Sequence, residues 1–160
     1  MNSMQTPPGA PPVLKHLCEI FVELAAPMEL GDAPKGRRRI IPIVGGRVEG
    51  ERLNGRILDL GADWQTVFAD GTAELDTRYS MQTEDGALID IRNFGYRHGP
   101  PEVLAALARG EAVDPARYSM RTHPRFETGD PRYAWLNRLI AVGSGAREPA
   151  SVRVSVFEVL

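Results

Sequence analysis

Two residue pairs in this chain have the types and spacing to hold a small polar molecule. In Glu74-Leu75-Asp76-Thr77-Arg78, Asp76 and Arg78 stand two apart, so a strand puts a carboxylate and a guanidinium on one face, where they pair with each other or grip a ligand. In Tyr133-Ala134-Trp135-Leu136-Asn137, Trp135 and Asn137 have the same spacing, an aromatic wall beside an amide that can orient a planar molecule. Each pair also has a plain reading. The first is a surface ion pair worth about 0–1 kcal/mol, and the second is a core tryptophan whose neighbour caps a turn. Two further carboxylates sit in telling places, Glu127 in Phe126-Glu127-Thr128 and Asp63 next to Trp64. In an enclosed cavity desolvation would raise their pKa values and suit them to general acid or base work; facing water they would do neither.

Other chemistries lack their residues. His16, His98 and His123 are scattered without the spacing of a ligand set, so no metal is expected. Gly143-Ser144-Gly145 lacks the spacing of a nucleophile elbow, and Gly45-Gly46-Arg47-Val48-Glu49-Gly50 fits neither a dinucleotide fingerprint nor a P-loop, so no cofactor is expected. The triplet Arg37-Arg38-Arg39 is the single basic cluster, and with a net charge of -2 it reads as a strand edge or an oligomer contact, with no nucleic-acid partner. No stretch approaches the roughly 20 apolar residues of a membrane helix.

The elements that must position these side chains follow from composition and pattern. Gly 16 and Pro 13 in 160 residues indicate one turn-rich domain, and 42% hydrophobic residues suffice for a core. The lone Cys18 cannot form an internal disulfide, which suits a reducing compartment and makes the cytoplasm the expected location. Residues 1–13 read as a disordered proline-rich tail without a secretory h-region, and 14–160 as one domain.

Along that domain, Leu14 to Leu24 alternates with period two, with Leu17 and Phe21 breaking the polar face. Pro27 to Gly36 reads as a loop and Arg37 to Val48 as extended. Glycines 45, 46, 50, 55 and 61 imply strands bent by bulges. Asp70-Gly71 and Asp85-Gly86 mark two hairpins on either side of Ala73–Thr83. Pro101 to Arg109, ended by Gly110, is the one convincing helix. Arg117–Thr128, Tyr133–Gly143 and Val152–Leu160 read as further extended runs. About nine strands joined by short turns form an antiparallel meander, expected to close into an all-β up-and-down barrel of about 8–10 strands with room for a small ligand. A six-residue echo, Arg78-Tyr79-Ser80-Met81-Gln82-Thr83 and Arg117-Tyr118-Ser119-Met120-Arg121-Thr122, would put Tyr and Met on one strand face and Arg and Ser on the other.

Taken together, Ile43-Val44-Gly45-Gly46, the glycines through Gly61, Asp63-Trp64, Asp76 to Tyr79, Thr83 to Ala87, Phe126-Glu127-Thr128, Tyr133 to Asn137 and Val142-Gly143 resemble the DUF3237 family, also labelled UPF0311. The resemblance covers nearly all of the chain after residue 13. It implies a small bacterial or fungal β-barrel of no settled activity. It also implies that Asp63, Trp64, Asp76, Arg78, Tyr79, Glu127, Trp135 and Asn137 gather at a shared cavity.

Three functions fit that picture. One is a barrel that binds an aromatic or carboxylated molecule, with Asp63, Trp64, Arg78, Trp135 and Asn137 as ligand-binding residues. Another is a cofactor-independent isomerase, lyase or hydrolase in which Asp76 or Glu127 moves a proton and Tyr79 or Arg78 steadies an oxyanion. The last is a structural homo-oligomer, with Leu17 and Phe21 outward on the first strand as a subunit contact.

Overall fold

The computed structural model describes residues 8–160. Of the tail expected over 1–13, residues 1–7 therefore lie outside the described residues. The chain forms β1 (Leu14–Leu24), β2 (Met28–Ala33), β3 (Gly36–Gly50), β4 (Gly55–Val67), β5 (Ala73–Thr83), β6 (Leu88–His98), α1 (Pro101–Ala108), β7 (Ser119–Glu127), β8 (Ala141–Arg147) and β9 (Ser151–Val159). All pairings are antiparallel, in the order β1-β9-β8-β7-β6-β5-β4-β3, and β3 closes the ring by pairing with β1. The result is an eight-stranded barrel, with β2 as an extra strand on the first part of β3.

The turns and bends lie where the glycines and prolines stand. Gly71 and Gly86 adopt φ of 88° and 92° in the two hairpin turns, a region open to glycine at no steric cost. Register breaks occur between Pro42 and Arg47 and between Ile57 and Gly61, and they curl the sheet on itself. Gly46 combines φ of 134° with a backbone so close to the Phe21 carbonyl that no side chain fits.

Three local expectations are corrected. The stretch 27–36 is not all loop: β2 forms between Pro27 and Pro34, which bracket the strand without interrupting its ladder, and Gly31 at φ 86° takes up the register shift. The stretch 133–143 is not extended throughout, since Pro131–Arg138 is a 3-10 segment and β8 begins only at Ala141. Asp130 caps that segment by accepting the backbone N–H of Arg132 at 2.9 Å. Leu17 does not face outward, because a bulge between His16 and Cys18 turns both Leu17 and Cys18 into the core. Phe21 is half-buried beneath the guanidinium groups of Arg47 and Arg153, 3.8 and 5.3 Å from its ring centre. The feature that argued for a subunit contact on β1 is therefore covered within the chain.

Side chains divide the interior in two. One end is a dry core built on Leu17, Ile20, Leu53, Met81, Ile89 and Leu136. At the other end α1 lies over the barrel with Val103 and Leu107, one helical turn apart, packed on Leu75, Tyr118 and Met120. Burying such a pair contributes roughly 1.5–3 kcal/mol per side chain. Between α1 and the dry core the barrel is incompletely filled.

Candidate functional site

The unfilled region is an internal cavity of about 50 Å³, enough for several waters or for a small organic group. Its walls follow from period-two alternation. β1, β3 and β9 contribute Val22, Leu24, Ile41, Ile43 and Val154, an apolar side. β4, β5, β6, β7 and β8 contribute Asp63 and Gln65, Thr77 and Tyr79, Asn93 and Arg97, Thr122, and Arg147, a polar side. On β8, Gly143 and Gly145 stand so close to Thr122, Val154 and Met120 that added side chains would collide with them.

The polar side is organised around Asp63. Its Oδ1 accepts the backbone N–H of Asp76 at 3.1 Å and the hydroxyl of Thr77 at 3.2 Å, and its Oδ2 accepts the Gln65 amide at 3.1 Å. Gln65 Oε1 in turn accepts Nε of Arg39 at 2.6 Å, directly across the β3–β4 ladder. Burial pushes the Asp63 carboxyl above its ordinary value, against the pull of these hydrogen bonds and of the Arg97 charge. Arg97, at 6% exposure, forms no ion pair among the described residues. Burial, then the neighbouring charges of Arg39 and Arg147, bring its guanidinium down to about 10. Burial, then Cys18, push the Tyr79 hydroxyl upward, so it stays protonated.

Four buried polar atoms on this wall have no hydrogen-bond partner among the described residues: Tyr79 Oη, Asn93 Oδ1, Arg97 Nε and Thr122 Oγ1. Buried polar groups are paired in the great majority of cases, because an unmet one costs about 1–3 kcal/mol. All four side chains belong to residues that line the one cavity, and that marks the site.

Of the eight residues expected at a shared cavity, the structure brings Asp63 and Tyr79 to it. Asp76 and Arg78 face solvent on the other side of β5, where Arg78 donates to Asp90 Oδ2 at 3.1 Å rather than to Asp76. Trp64 stands on the outer surface at 39% exposure, as it must once its neighbour Asp63 points inward. Trp135 lies in the 3-10 segment against the dry core, with the Arg52 guanidinium 4.4 Å above its ring. Asn137 clamps the exit of β7, accepting the Thr128 N–H at 2.8 Å and donating to the Thr128 carbonyl at 2.9 Å. Glu127 and Asn137 line an outer groove, with Asp90 and Arg125, and not the interior. Neither tryptophan is a wall of the cavity. Sequence reasoning missed Gln65, Asn93, Arg97, Thr122 and Arg147, although Arg97 sits in the same alternating register as Ile89 and Ile91. Among the described residues no group of three His, Cys, Asp or Glu side chains is placed to hold a metal, and no helix is long and apolar enough to cross a membrane.

The profile of the family described as "Protein of unknown function (DUF3237)" matches residues 12–159. The chain belongs to the DUF3237 family. Within it, the chain is 43% identical over 146 residues to a UPF0311 protein of Rhodopseudomonas palustris, covering 91% of this chain and 95% of the relative. A crystal structure of a β-barrel-like protein from Acinetobacter baumannii is similar at TM-score 0.85 and 45% identity, covering 97% of this chain and all 100% of that one. A structure described as an enzyme from Penicillium herquei shares the fold at TM-score 0.72 and 20% identity, over 98% of this chain and 100% of that one.

Proposed function

We propose that this DUF3237 protein binds a small molecule inside the barrel, at the polar wall between α1 and the dry core. The observation that carries the reading is the set of four unpartnered atoms, Tyr79 Oη, Asn93 Oδ1, Arg97 Nε and Thr122 Oγ1, in one cavity. Arg97 Nε and the hydroxyls of Tyr79 and Thr122 can donate, so a ligand with acceptor oxygens meets three of the four atoms, and Asn93 Oδ1 can accept from a ligand hydroxyl or from a water. The apolar side of Val22, Ile41 and Ile43 takes the ligand's hydrocarbon. Cytoplasmic residence is part of the proposal, since the lone Cys18 can form no internal disulfide and the fold does not draw on an oxidising compartment. Native mass spectrometry of gently purified protein tests the reading. A stoichiometric small molecule released on denaturation supports it. A high-resolution structure with only ordered water bonded to all four atoms contradicts it.

A second reading has its own observation. Asp63 is the carboxylate that faces the cavity, it is raised by burial, and the protonated Tyr79 hydroxyl lies in the same space. In cofactor-independent acid–base chemistry, Asp63 would be the proton carrier in place of Asp76 or Glu127, and Tyr79 the oxyanion donor. That an enzyme shares this fold at a distance is compatible with the reading and does not decide it. Solvent deuterium exchange into a bound carbonyl compound, followed by NMR, tests it. Exchange in the wild type that Asp63→Asn abolishes without loss of binding supports catalysis, and equal exchange in both removes Asp63 from that role.

A further inference from the structure

The polar wall carries more positive charge than it balances. Arg97 and Arg147 line the cavity, and Arg39 reaches its edge through Gln65, whereas among the described residues Asp63 is the only carboxylate in the lining. The three guanidinium groups are not equivalent. Arg39 spends Nε on Gln65 at 2.6 Å, and Arg147 bonds the backbone carbonyls of Glu148 and Ser151 in the turn that joins β8 to β9. Among the described residues Arg97 is buried, unpaired and without a hydrogen bond at Nε. By contrast, Arg37, Arg47, Arg78, Arg109, Arg132 and Arg153, all on the surface, each reach a carboxylate.

A buried, unpaired guanidinium is costly unless something arrives to meet it. What fits a single free guanidinium fork is a planar two-oxygen anion, bound through two parallel N–H···O bonds. The hydroxyls of Tyr79 and Thr122 are unpartnered in the same cavity and can donate to the same anion. On the opposite side the wall is aliphatic, contributed by Val22, Ile41, Ile43 and Val154. Both tryptophans lie outside the cavity, so it offers no aromatic sandwich for a ring.

We propose that the occupant of this cavity is a short aliphatic carboxylic acid, its carboxylate docked on Arg97 and its hydrocarbon end against the valine and isoleucine wall. This rests on the reading that the cavity binds a small molecule, and it names the chemical class. The low Arg97 value agrees with it, because a bound carboxylate restores the charge balance that burial and two neighbouring arginines disturb.

The test uses isobutyrate and its neutral isostere isobutyramide, with sulfate as a second anion, at matched ionic strength. Binding is followed by calorimetric titration and by ligand-induced thermal shift of the full chain. Saturable isobutyrate binding is expected, with isobutyramide and sulfate each roughly tenfold weaker or more, the scale of a lost charge-assisted bond. Arg97→Met is expected to lose isobutyrate by a similar factor, and Arg97→Lys to recover part of it, each with an intact β-sheet circular dichroism spectrum that separates lost binding from lost folding. Equal binding of acid and amide overturns the carboxylate assignment and leaves the cavity reading standing. Tighter sulfate than isobutyrate overturns it in favour of a tetrahedral anion. Isobutyrate bound equally by wild type and Arg97→Met removes Arg97 as the dock. Binding by none of the probes overturns the cavity reading as well.

Discussion

Asp63 Oδ1 accepts the backbone N–H of Asp76 at 3.1 Å, so a carboxylate inside the barrel is held by the main chain of a residue whose own carboxylate points to solvent. The two aspartates look interchangeable as chemistry in the sequence. The strand pleat gives one a buried site among arginines and the other a place on the surface.

Replacing Arg97 by methionine should stabilise the empty barrel. The substitution fills similar volume and removes a buried charge that meets no carboxylate among the described residues, and such replacements often gain about 1–4 kcal/mol. At roughly 2–4 °C per kcal/mol for a domain of this size, thermal unfolding should shift upward by several degrees. A group that costs stability where it stands is the signature of a functional position. A lowered melting temperature would mean that Arg97 is compensated within the fold.

Removing the Asn137 clamp should loosen the β7 exit without touching the cavity. Asn137→Ala deletes two hydrogen bonds to Thr128, each worth about 0.5–1.5 kcal/mol. A urea midpoint reduced accordingly, with ligand affinity unchanged, is the expected result. Trp64→Ala should likewise leave affinity unchanged, because the ring lies on the outer face. Lost affinity in either variant would place the binding site outside the barrel.

How much of this was legible beforehand differs from residue to residue. The Tyr-and-Met face of the repeated segment was readable: Tyr79 and Met81 on β5, Tyr118 just before β7 and Met120 at its start are all buried, as period two requires. Closure was readable from the hairpin turns and from glycines that bend β3 and β4. The candidates that fall outside the cavity were chosen by chemical type and not by location. Trp64 beside Asp63 looked like an aromatic flanking an acid, yet neighbours in a strand face opposite ways. Arg97 was not singled out, because residue type alone does not mark an arginine as buried, and only the register running from Ile89 through Asn93 carries it inside. The alternation expected across Trp135 and Asn137 needs a strand, whereas Pro131 and the Asp130 cap start a 3-10 turn there.

Acid should expose two carboxylates acting with opposite sign. At Glu19 burial works to raise the carboxyl, but bonds from His16, Ser155 and Arg153, with the Arg153 charge, outweigh it and hold the group below its ordinary 4.5. A carboxyl held lower in the fold than in the unfolded chain adds stability above its ordinary value and loses it as pH falls through the folded value. Asp63 is raised, so it costs stability as pH climbs from its ordinary 3.8 through the folded value. Glu19→Gln should therefore lower the unfolding free energy measured in urea at pH 7 by about 1 kcal/mol, and much less near pH 3. An equal loss at both pH values would contradict the assignment.

Gly46→Ala should be the most damaging single methyl in the barrel. Its φ of 134° and the adjacent Phe21 carbonyl leave no place for a Cβ, so a loss of roughly 1–3 kcal/mol or more is expected in urea unfolding. Unchanged stability would mean that the junction of β1 and β3 tolerates displacement.

The most direct measurement is a high-resolution crystal structure of the full chain grown with isobutyrate. The account predicts a carboxylate inside the barrel within hydrogen-bond distance of Arg97 Nε, its methyl groups against Val22, Ile41 and Ile43. An interior holding only water, with isobutyrate bound in the outer groove beside Arg125 and Asn137, would contradict it.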